Sequence, residues 1–293
     1  MTAPVEPWVD VFEAARPRLL GLAYRMLGTL ADAEDAVQEA FLKWHAADHD
    51  TIRNPDAWLT TVTSRLSLDR LRAAQRRRED YVGPWVSEPI VLEPGPEETV
   101  LRTESLTLGF LALLDRLAPV ERAVFLLADV FGVPFDEIAE AVGKSSAACR
   151  QIASRARSRV RSEAPRFSAN PDRRVIEEFL VAVALGDVDA VMQRLTPDAR
   201  CISDGGANKR AARRPVVGAD RVARFFVNLA RRYGPTASYA MATINSSPGL
   251  LVSFDGEMEL AAAFDVEDGR ISSIWAVRNP DKLAHLVEAV PLS

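Results

Sequence analysis

Apolar residues recur every three or four positions along the first third of the chain, the spacing that places them on one face of a helix. This pattern predicts helices from Val9 to Leu27, from about Asp32 to Ala47, and from Pro55 into an arginine-rich stretch. Gly28 marks the end of the first helix. The chain therefore begins with an all-helical unit.

The helical period disappears from Tyr81 to Glu97, where prolines occur at positions 84, 89, 94 and 96. Such a segment is typical of a linker. Helical spacing then resumes and predicts a second all-helical unit. Its helices are expected at Glu98–Leu117, Pro119–Phe131, Phe135–Val142 and Ser145–Arg161.

The last part of the chain changes to strand-like patterning. Two helices, at about Asp172–Leu185 and Val188–Leu195, precede a strand and a further helix at about Ala219–Tyr233. Four β-rich runs follow, over residues 236–277, and predict an α+β domain with helices on one face of a curved sheet. The hairpin signals that divide these runs are Ser-Pro-Gly, Asp255-Gly256 and Asp268-Gly269.

These changes of pattern predict a multidomain chain, as its 293 residues also suggest. The predicted boundaries are residues 1–80, a linker at 81–97, residues 98–163, a short linker at 164–171, and residues 172–293.

Composition excludes several functional classes. No apolar run reaches the ~18 to 20 residues that span a bilayer, so we expect no membrane segment. The N-terminus lacks the basic start and apolar run of a secretory signal, so we expect a cytoplasmic protein. The sequence shows no metal-ligand spacing around Cys149, Cys201 or the three histidines, so we expect no metal and no other cofactor.

Charge is distributed unevenly behind the net value of −5. Between Ser64 and Arg78 the chain has six arginines and one acidic residue, and between Lys144 and Arg161 it has six basic residues and no acidic one. Ala31 to Asp50 holds six acids and one lysine. The two basic segments therefore suit binding of phosphate groups, and the acidic segment suits a basic partner.

Phe135 to Val160 has the pattern of a helix-turn-helix, with Gly143 in the turn. In the second helix Arg150 and Gln151 are the best candidates for reading base edges in a major groove, because arginine pairs with guanine and glutamine with adenine. A solvated helix with outward arginines is the alternative. The residues expected to face the core are Cys149, Ala153, Ala156 and Val160, at i, i+4, i+7 and i+11. The residues expected on the outward face are Ser146, Arg150, Gln151, Ser154 and Arg157.

The third helix carries the other basic stripe, with Arg65, Arg70 and Arg72 ahead of an arginine triplet. Arginines beside aromatic rings suit unstacked single-stranded DNA. Trp58 lies close in sequence, either as a base-stacking ring or, as its core-facing position favours, as a packing residue.

Five sequence motifs resemble those of extracytoplasmic-function (ECF) RNA polymerase sigma factors, in the order of that family and over residues ~8 to 163. They are A-E-D-A-V-Q-E-A-F-L-K-W (33 to 44), N-P-D-A-W-L (54 to 59), L-D-R-L-R (68 to 72), L-A-P-V-E-R-A-V-F-L-L-A-D-V-F (117 to 131) and S-R-A-R (154 to 157).

The resemblance implies that the first helices are sigma region 2 and the later ones sigma region 4. It assigns binding of core RNA polymerase to Glu34, Asp35, Gln38 and Phe41. It assigns binding of melted minus-10 DNA to Asn54, Trp58, Ser64, Arg65 and Arg72. At the position of Arg65, many family members have asparagine instead. It assigns duplex minus-35 DNA to the outward face of the helix-turn-helix.

Two further motifs are similar to a subgroup of these sigma factors that carries a C-terminal SnoaL-like cone domain: Y-V-G-P-W-V-S-E-P (81 to 89) and N-P-D-K-L (279 to 283). D-G-G-A-N-K (204 to 209) approximates a third. The resemblance implies that this domain regulates the sigma regions. The regulatory contacts it implies are Tyr81, Trp85, Asp204, Gly205, Gly206, Asn279, Pro280, Asp281, Lys282 and Leu283.

We therefore expect a non-enzymatic sigma factor that binds core polymerase and promoter DNA and is modulated by its C-terminal domain. A ligand-responsive DNA-binding regulator with a small-molecule pocket in that domain is the alternative. An enzyme would need a general base such as Asp204, Asp255 or Asp265. The basic stretch from Lys209 to Arg214 has DNA, polymerase or solvent as its possible partner.

Overall fold

A computed structural model describes residues 7–78, 81–91, 106–163, 173–207 and 209–286. The chain forms two compact units that alternate along the sequence. The first comprises residues 1–79, 99–101 and 113–163, and the second comprises residues 80–98, 102–112 and 164–293. Residues 81–91, the described part of the proline-rich segment, thus belong by their contacts to the second unit.

The first unit begins with three packed helices, α1 (Pro7–Leu27), α2 (Leu30–His45) and α3 (Pro55–Arg78). Gly28, with a φ of +80°, ends α1, and the Asn54 side chain accepts the Ala57 amide at 3.2 Å and caps α3. Apolar residues on the facing sides form the core. Among them are Leu19, Leu22, Trp44, Leu59 and Leu71.

Next along the chain is α4 (Leu108–Leu114), whose residues 108–112 belong to the second unit. Three more helices of the first unit follow, α5 (Pro119–Phe125), α6 (Phe135–Val142) and α7 (Ser146–Glu163). Of the helix expected at Glu98–Leu117, the described part is α4, which begins at Leu108, where the Thr107 hydroxyl accepts the Phe110 amide at 3.1 Å, and ends at Leu114. Residues 98–105 lie outside the described residues.

The helix expected at Pro119–Phe131 leaves α geometry after α5. Leu126–Val130 forms a π-turn, in which the Phe131 amide donates to the Leu126 carbonyl five residues earlier at 3.0 Å. Helical spacing alone does not distinguish this wider turn.

The second unit contains helices on a six-stranded sheet. The helices are α8 (Arg173–Leu185), α9 (Val188–Gln193), α10 (Ala219–Tyr233) and α11 (Pro280–Leu283). The strands are β1 (Leu195–Asp204), β2 (Val216–Val217), β3 (Ala237–Ile244), β4 (Ser247–Phe254), β5 (Glu257–Glu267) and β6 (Arg270–Val277).

The sheet order is β2-β1-β6-β5-β4-β3, with β1 and β6 parallel and the other pairs antiparallel. Ile176, Phe179 and Val222 from the helices pack with Phe264 and Ile274 from the sheet. The predicted α+β class is confirmed.

Two of the three hairpin predictions are confirmed. Asp255-Gly256 and Asp268-Gly269 all have positive φ and form tight turns. The third hairpin also forms, between β3 and β4, but its turn is Asn245-Ser246, with φ of +48° and +61°, and Ser-Pro-Gly lies inside β4. No helix among the described residues is both long and apolar enough to cross a bilayer.

Asp265 is a buried acid in the middle of this sheet, 4% exposed. Its carboxylate accepts a hydrogen bond from Trp275 Nε1 at 2.6 Å. Burial raises the pKa of Asp265 to about 7, because the charged form is poorly solvated there. Its unfolded pKa is near 3.8, so the native state holds a proton that the unfolded chain releases between these values.

Stability of the second unit should therefore fall as pH rises from about 4 to about 7, by at most ~1.4 kcal/mol per pH unit from this group. We predict that Asp265→Asn removes this component and stabilises the unit most above pH 7, because the amide is neutral and still accepts from Trp275. Denaturant unfolding of the full chain across pH 4 to 8 measures this. Asp268→Asn, in an exposed turn, is the matched control, and an equal pH profile for wild type and Asp265→Asn would contradict the prediction.

Candidate nucleic-acid interface and linker anchor

Helix α7 presents one exposed face that buried small residues fix in place. Cys149, Ala153 and Ala156 are at most 1% exposed and pack inward, as the helical spacing predicts. Gly143, with a φ of +68°, makes the turn between α6 and α7. The predicted outward residues that are exposed on this face are Arg150, Gln151 and Ser154.

Two other predicted residues of this face are engaged within the protein. The Ser146 hydroxyl donates to the Asp136 carboxylate, and Arg157 Nε donates to Asp129 at 2.7 Å. Arg155, which the sequence analysis did not select, is exposed and has no ion-pair partner among the described residues. The sequence signal for Arg155 is its position four residues after Gln151, since residues so spaced are neighbours on a helix surface.

The predicted minus-10 residues on α3 have differing environments. Asn54 caps the helix, and Trp58 packs on Trp44 with ring centroids 5.3 Å apart. Ser64 is 1% exposed and donates to the Thr60 carbonyl at 2.6 Å, so it presents no free group to a nucleic acid. Arg72 is exposed and pairs with its helix neighbour Asp69 at 3.0 Å.

Arg65 contacts the helix-turn-helix module. Its guanidinium donates to the Glu140 carbonyl at 2.8 Å and lies 3.6 Å from the Glu140 carboxylate. Both residues belong to the first unit, where α3 packs on α6. We call this packing of the two helical modules the closed arrangement.

A buried arginine holds the closed arrangement. Arg122 is 1% exposed, and its Nε and Nη2 donate to the Arg25 carbonyl at 2.9 and 2.7 Å. Asp115 accepts from both Arg122 and Arg78, and Arg78 also donates to the Leu27 carbonyl at 2.5 Å. Burial lowers the pKa of Arg25 to about 10 and lowers that of Arg78. Such a network is stable only while its members stay paired.

The acidic surface of α2 is exposed as its pattern predicts. Glu34, Asp35 and Gln38 are exposed, while Phe41 is half-buried edge-to-face on Phe12 at 4.9 Å. Leu42, missed by the sequence analysis, is 58% exposed beside them. This surface combines acids with exposed apolar area, which suits a partner protein.

In the second unit, residues 81–91 are anchored on the domain by Asp204, which is fully buried. Its carboxylate accepts from the Tyr81 hydroxyl at 2.5 Å, the Val86 amide at 3.0 Å and the Gly206 amide at 3.0 Å. Lys282 Nζ donates to it at 2.7 Å. These bonds occupy the carboxylate, so Asp204 is unsuited to act as a general base.

Lys282 completes this anchor. Its side chain is 4% exposed, and Nζ lies 3.1 Å from the centroid of the Trp85 ring and donates to the Val86 carbonyl at 2.5 Å. Burial, together with the hydrogen bond to Asp204, raises the pKa of Tyr81 above its usual range, so its hydroxyl stays a donor.

Both glycines after Asp204 are required by close packing. A Cβ on Gly205 would lie 2.5 Å from the Lys209 carbonyl oxygen, and one on Gly206 would lie 2.7 Å from the Asn279 side chain. Asn279 donates to the Tyr81 hydroxyl at 3.0 Å and accepts the Asp281 amide at 3.1 Å.

The terminal motif around Asn279 forms α11. Pro280 is its first residue, Asp281 is exposed, and Leu283 is 2% exposed. Of the ten residues for which regulatory contacts were expected, six contact one another in this anchor: Tyr81, Trp85, Asp204, Gly206, Asn279 and Lys282.

The sequence analysis missed a second part of the anchor. His285 lies 2.9 Å from the Glu88 carboxylate and 2.9 Å from the Pro89 carbonyl. Ile90 exchanges hydrogen bonds with Asn245, at 2.8 and 2.9 Å. A histidine and an asparagine isolated in sequence give no local signal of such pairing. Among the described residues, no cluster of His, Cys, Asp or Glu could hold a metal ion.

Comparison with known proteins agrees with this architecture. Residues 11–77 match the Sigma-70 region 2 model, and residues 108–160 match the model for Sigma-70, region 4. ECF RNA polymerase sigma factor SigJ of Mycobacterium tuberculosis is 42% identical over 289 residues, covering 94% of this chain and 92% of the relative. Probable ECF RNA polymerase sigma factor SigI of the same species is 33% identical, covering 95% of each.

The crystal structure of the M. tuberculosis extracytoplasmic function sigma factor SigJ is also similar. It has a TM-score of 0.77 and 38% identity, and the match covers 94% of this chain and 98% of that chain. The similarity includes the α+β domain as well as the helical modules.

The anchor predicts an asymmetric response to mutation. Lys282→Met should destabilise the second unit by ~3 kcal/mol, because it leaves the Asp204 charge buried without its cation. Lys282→Met combined with Asp204→Asn should recover part of that loss. Denaturant unfolding of full-length protein measures both, and chymotrypsin cleavage within residues 81–91 reports release of the segment.

Lys43→Met, which breaks only an exposed pair with Glu39 at 3.7 Å, is the control with an expected change under ~0.5 kcal/mol. Equal effects of Lys282→Met and Lys43→Met would contradict the prediction.

Proposed function

This chain belongs to the ECF family of RNA polymerase sigma factors, and from that premise we propose that it reads promoters with two of the surfaces described above. Helix α7 would bind duplex minus-35 DNA, and α3 with its preceding loop would bind melted minus-10 DNA. Family membership implies a non-enzymatic initiation factor that binds core RNA polymerase.

The observation that carries the minus-35 proposal is the exposed face of α7. Arg150, Gln151, Ser154 and Arg155 share that face, and buried small residues beneath it hold it rigid. Arg150 lies 5.5 Å over the Phe135 ring, which limits its guanidinium to few positions. A restrained arginine loses less conformational entropy when it binds a base edge.

Binding of core polymerase is proposed for the acidic surface of α2. Glu34, Asp35 and Gln38 supply charge and hydrogen bonds, while Phe41 and Leu42 supply apolar contact. An acidic surface with an apolar centre suits a basic partner helix.

The closed arrangement is incompatible with reading both promoter elements together. Their names place them roughly 25 base pairs apart, or ~85 Å along B-DNA at ~3.4 Å per pair. Arg65 of α3, by contrast, is hydrogen-bonded to Glu140 of α6. We infer that the closed arrangement opens on promoter binding, which frees Arg65 for minus-10 DNA.

The C-terminal domain is proposed to modulate this opening through the connector between α3 and α4. Residues 79–107 would reach ~100 Å if fully extended, at ~3.4 Å per residue. Docking of residues 81–91 on the domain removes eleven residues, or ~37 Å of that reach. Release of the anchor would therefore help the two modules to separate.

We predict that Arg150→Ala lowers promoter-specific transcription by roughly fivefold to hundredfold in a reaction with purified core polymerase, while core binding is unchanged. The loss follows from removing one base contact worth ~1 to 3 kcal/mol. Arg161→Ala, exposed near the end of the same helix, should retain activity. Undiminished transcription by Arg150→Ala would remove this residue from the reading face.

For the modulation proposal, Trp85→Ala should raise transcription severalfold, since it weakens docking of the connector without touching the core of the domain. Val82→Ala, at a 45% exposed position of the same segment, is the control and should match wild type. Multi-round transcription with full-length variants gives the comparison. Equal output from wild type and Trp85→Ala, with residues 81–91 shown by proteolysis to be released, would rule out control through this anchor.

A further inference from the structure

A cavity of about 350 Å³ lies beside the anchor, within the second unit. Val82, Gly83 and Pro84 form one side, and residues 203, 205–207 and 209–213 form the other. The volume is within the range of small-molecule sites, ~300 to 1,000 Å³. Its lining is more polar than apolar, which disfavours an apolar ligand.

Three arginines at this loop are available to a ligand. Arg210, Arg213 and Arg214 are exposed, and no carboxylate among the described residues pairs with any of them. Arg210 and Arg213 line the cavity itself. Most surface arginines are merely solvated, but here two of them border a concave site on a loop of defined conformation.

The nearby acids are already paired with other cations. Asp204 binds Lys282, and Glu259 binds both Lys209, at 2.5 Å, and Arg278, at 3.2 Å. With the exposed Asp281 included, this region holds six basic and three acidic side chains, so about three positive charges are uncompensated. The cations are Lys209, Arg210, Arg213, Arg214, Arg278 and Lys282.

The loop that carries these arginines is held rigidly. Gly205 and Gly206 permit the close approach of Lys209 and Asn279 described above, and Arg278 Nη1 donates to the Arg210 carbonyl at 2.6 Å. A Cβ on Gly83 would lie 3.7 Å from Arg213 Cα, so the linker backbone passes directly beside the loop.

We propose that this cavity binds a small ligand bearing a diphosphate or triphosphate group. Planar guanidinium groups donate paired hydrogen bonds to phosphate oxygens, and the uncompensated charge matches a polyanion. Because the ligand would contact both the linker and the domain, its binding would stabilise the docked linker. That consequence for transcription rests on the proposed function, whereas the binding itself does not.

Inorganic pyrophosphate is the probe for the test, with full-length protein at constant ionic strength and without divalent cations. Calorimetric titration should give saturable binding below ~1 mM, and Arg210→Gln with Arg213→Gln should weaken it at least tenfold. Arg221→Gln, an exposed arginine of α10 without an ion-pair partner among the described residues, should bind as wild type does. Sodium sulfate at the same ionic strength tests whether any anion suffices.

Two outcomes would overturn the proposal: no saturable binding of pyrophosphate by wild type, or equal weakening by Arg221→Gln. A 20-base-pair duplex without promoter elements distinguishes the source of the phosphate. If the double variant weakens duplex binding while wild type does not bind pyrophosphate, the loop serves DNA and the small-ligand site is wrong. Promoter-specific transcription is measured with the same preparations, so that the sigma function is tested independently of pyrophosphate binding.

Discussion

The ion pair between Lys282 and Asp204 is the interaction on which the organisation of the second unit depends. Both side chains are almost fully buried, so each charge is tolerated only because the other is present. The pair gathers Tyr81, Trp85 and Val86 around it, and thereby attaches a proline-rich connector to a domain that begins far later in the sequence. A segment with too little apolar surface to fold alone gains its structure from this charge pair.

The same constraint recurs in the first unit, where Arg122 donates to the Arg25 carbonyl and pairs with Asp115. In the proposed function, both charged networks hold elements that rearrange during promoter recognition, namely the closed arrangement, which occupies Arg65, and the docked residues 81–91. Polar networks suit such positions, because bound solvent, a partner or DNA can replace their hydrogen bonds when they open. Apolar packing, by contrast, would have to be exposed to water.

Sequence reasoning succeeded where structure is local. Helical spacing located α1 to α3 and α10, and identified Cys149, Ala153 and Ala156 as the inward side of α7. Asp-Gly pairs located two turns, because glycine and aspartate adopt positive φ at low cost. It misplaced one turn at Ser-Pro-Gly, since the pairing of these residues with β3 imposes strand conformation there, and Gly249 lies where a Cβ would be 2.7 Å from the Ala262 carbonyl of β5.

The sequence alone determined the family, the order of the domains and the exposed face of α7, because these depend on periodicity and on motifs carried by neighbouring residues. Tertiary structure decided which polar groups remain available. It buried Ser64, paired Arg157 with Asp129 and Arg65 with Glu140, and placed His285 beside Glu88. Such pairings join residues tens to hundreds of positions apart, and no local spacing encodes them, because they arise only when separately folded elements pack together.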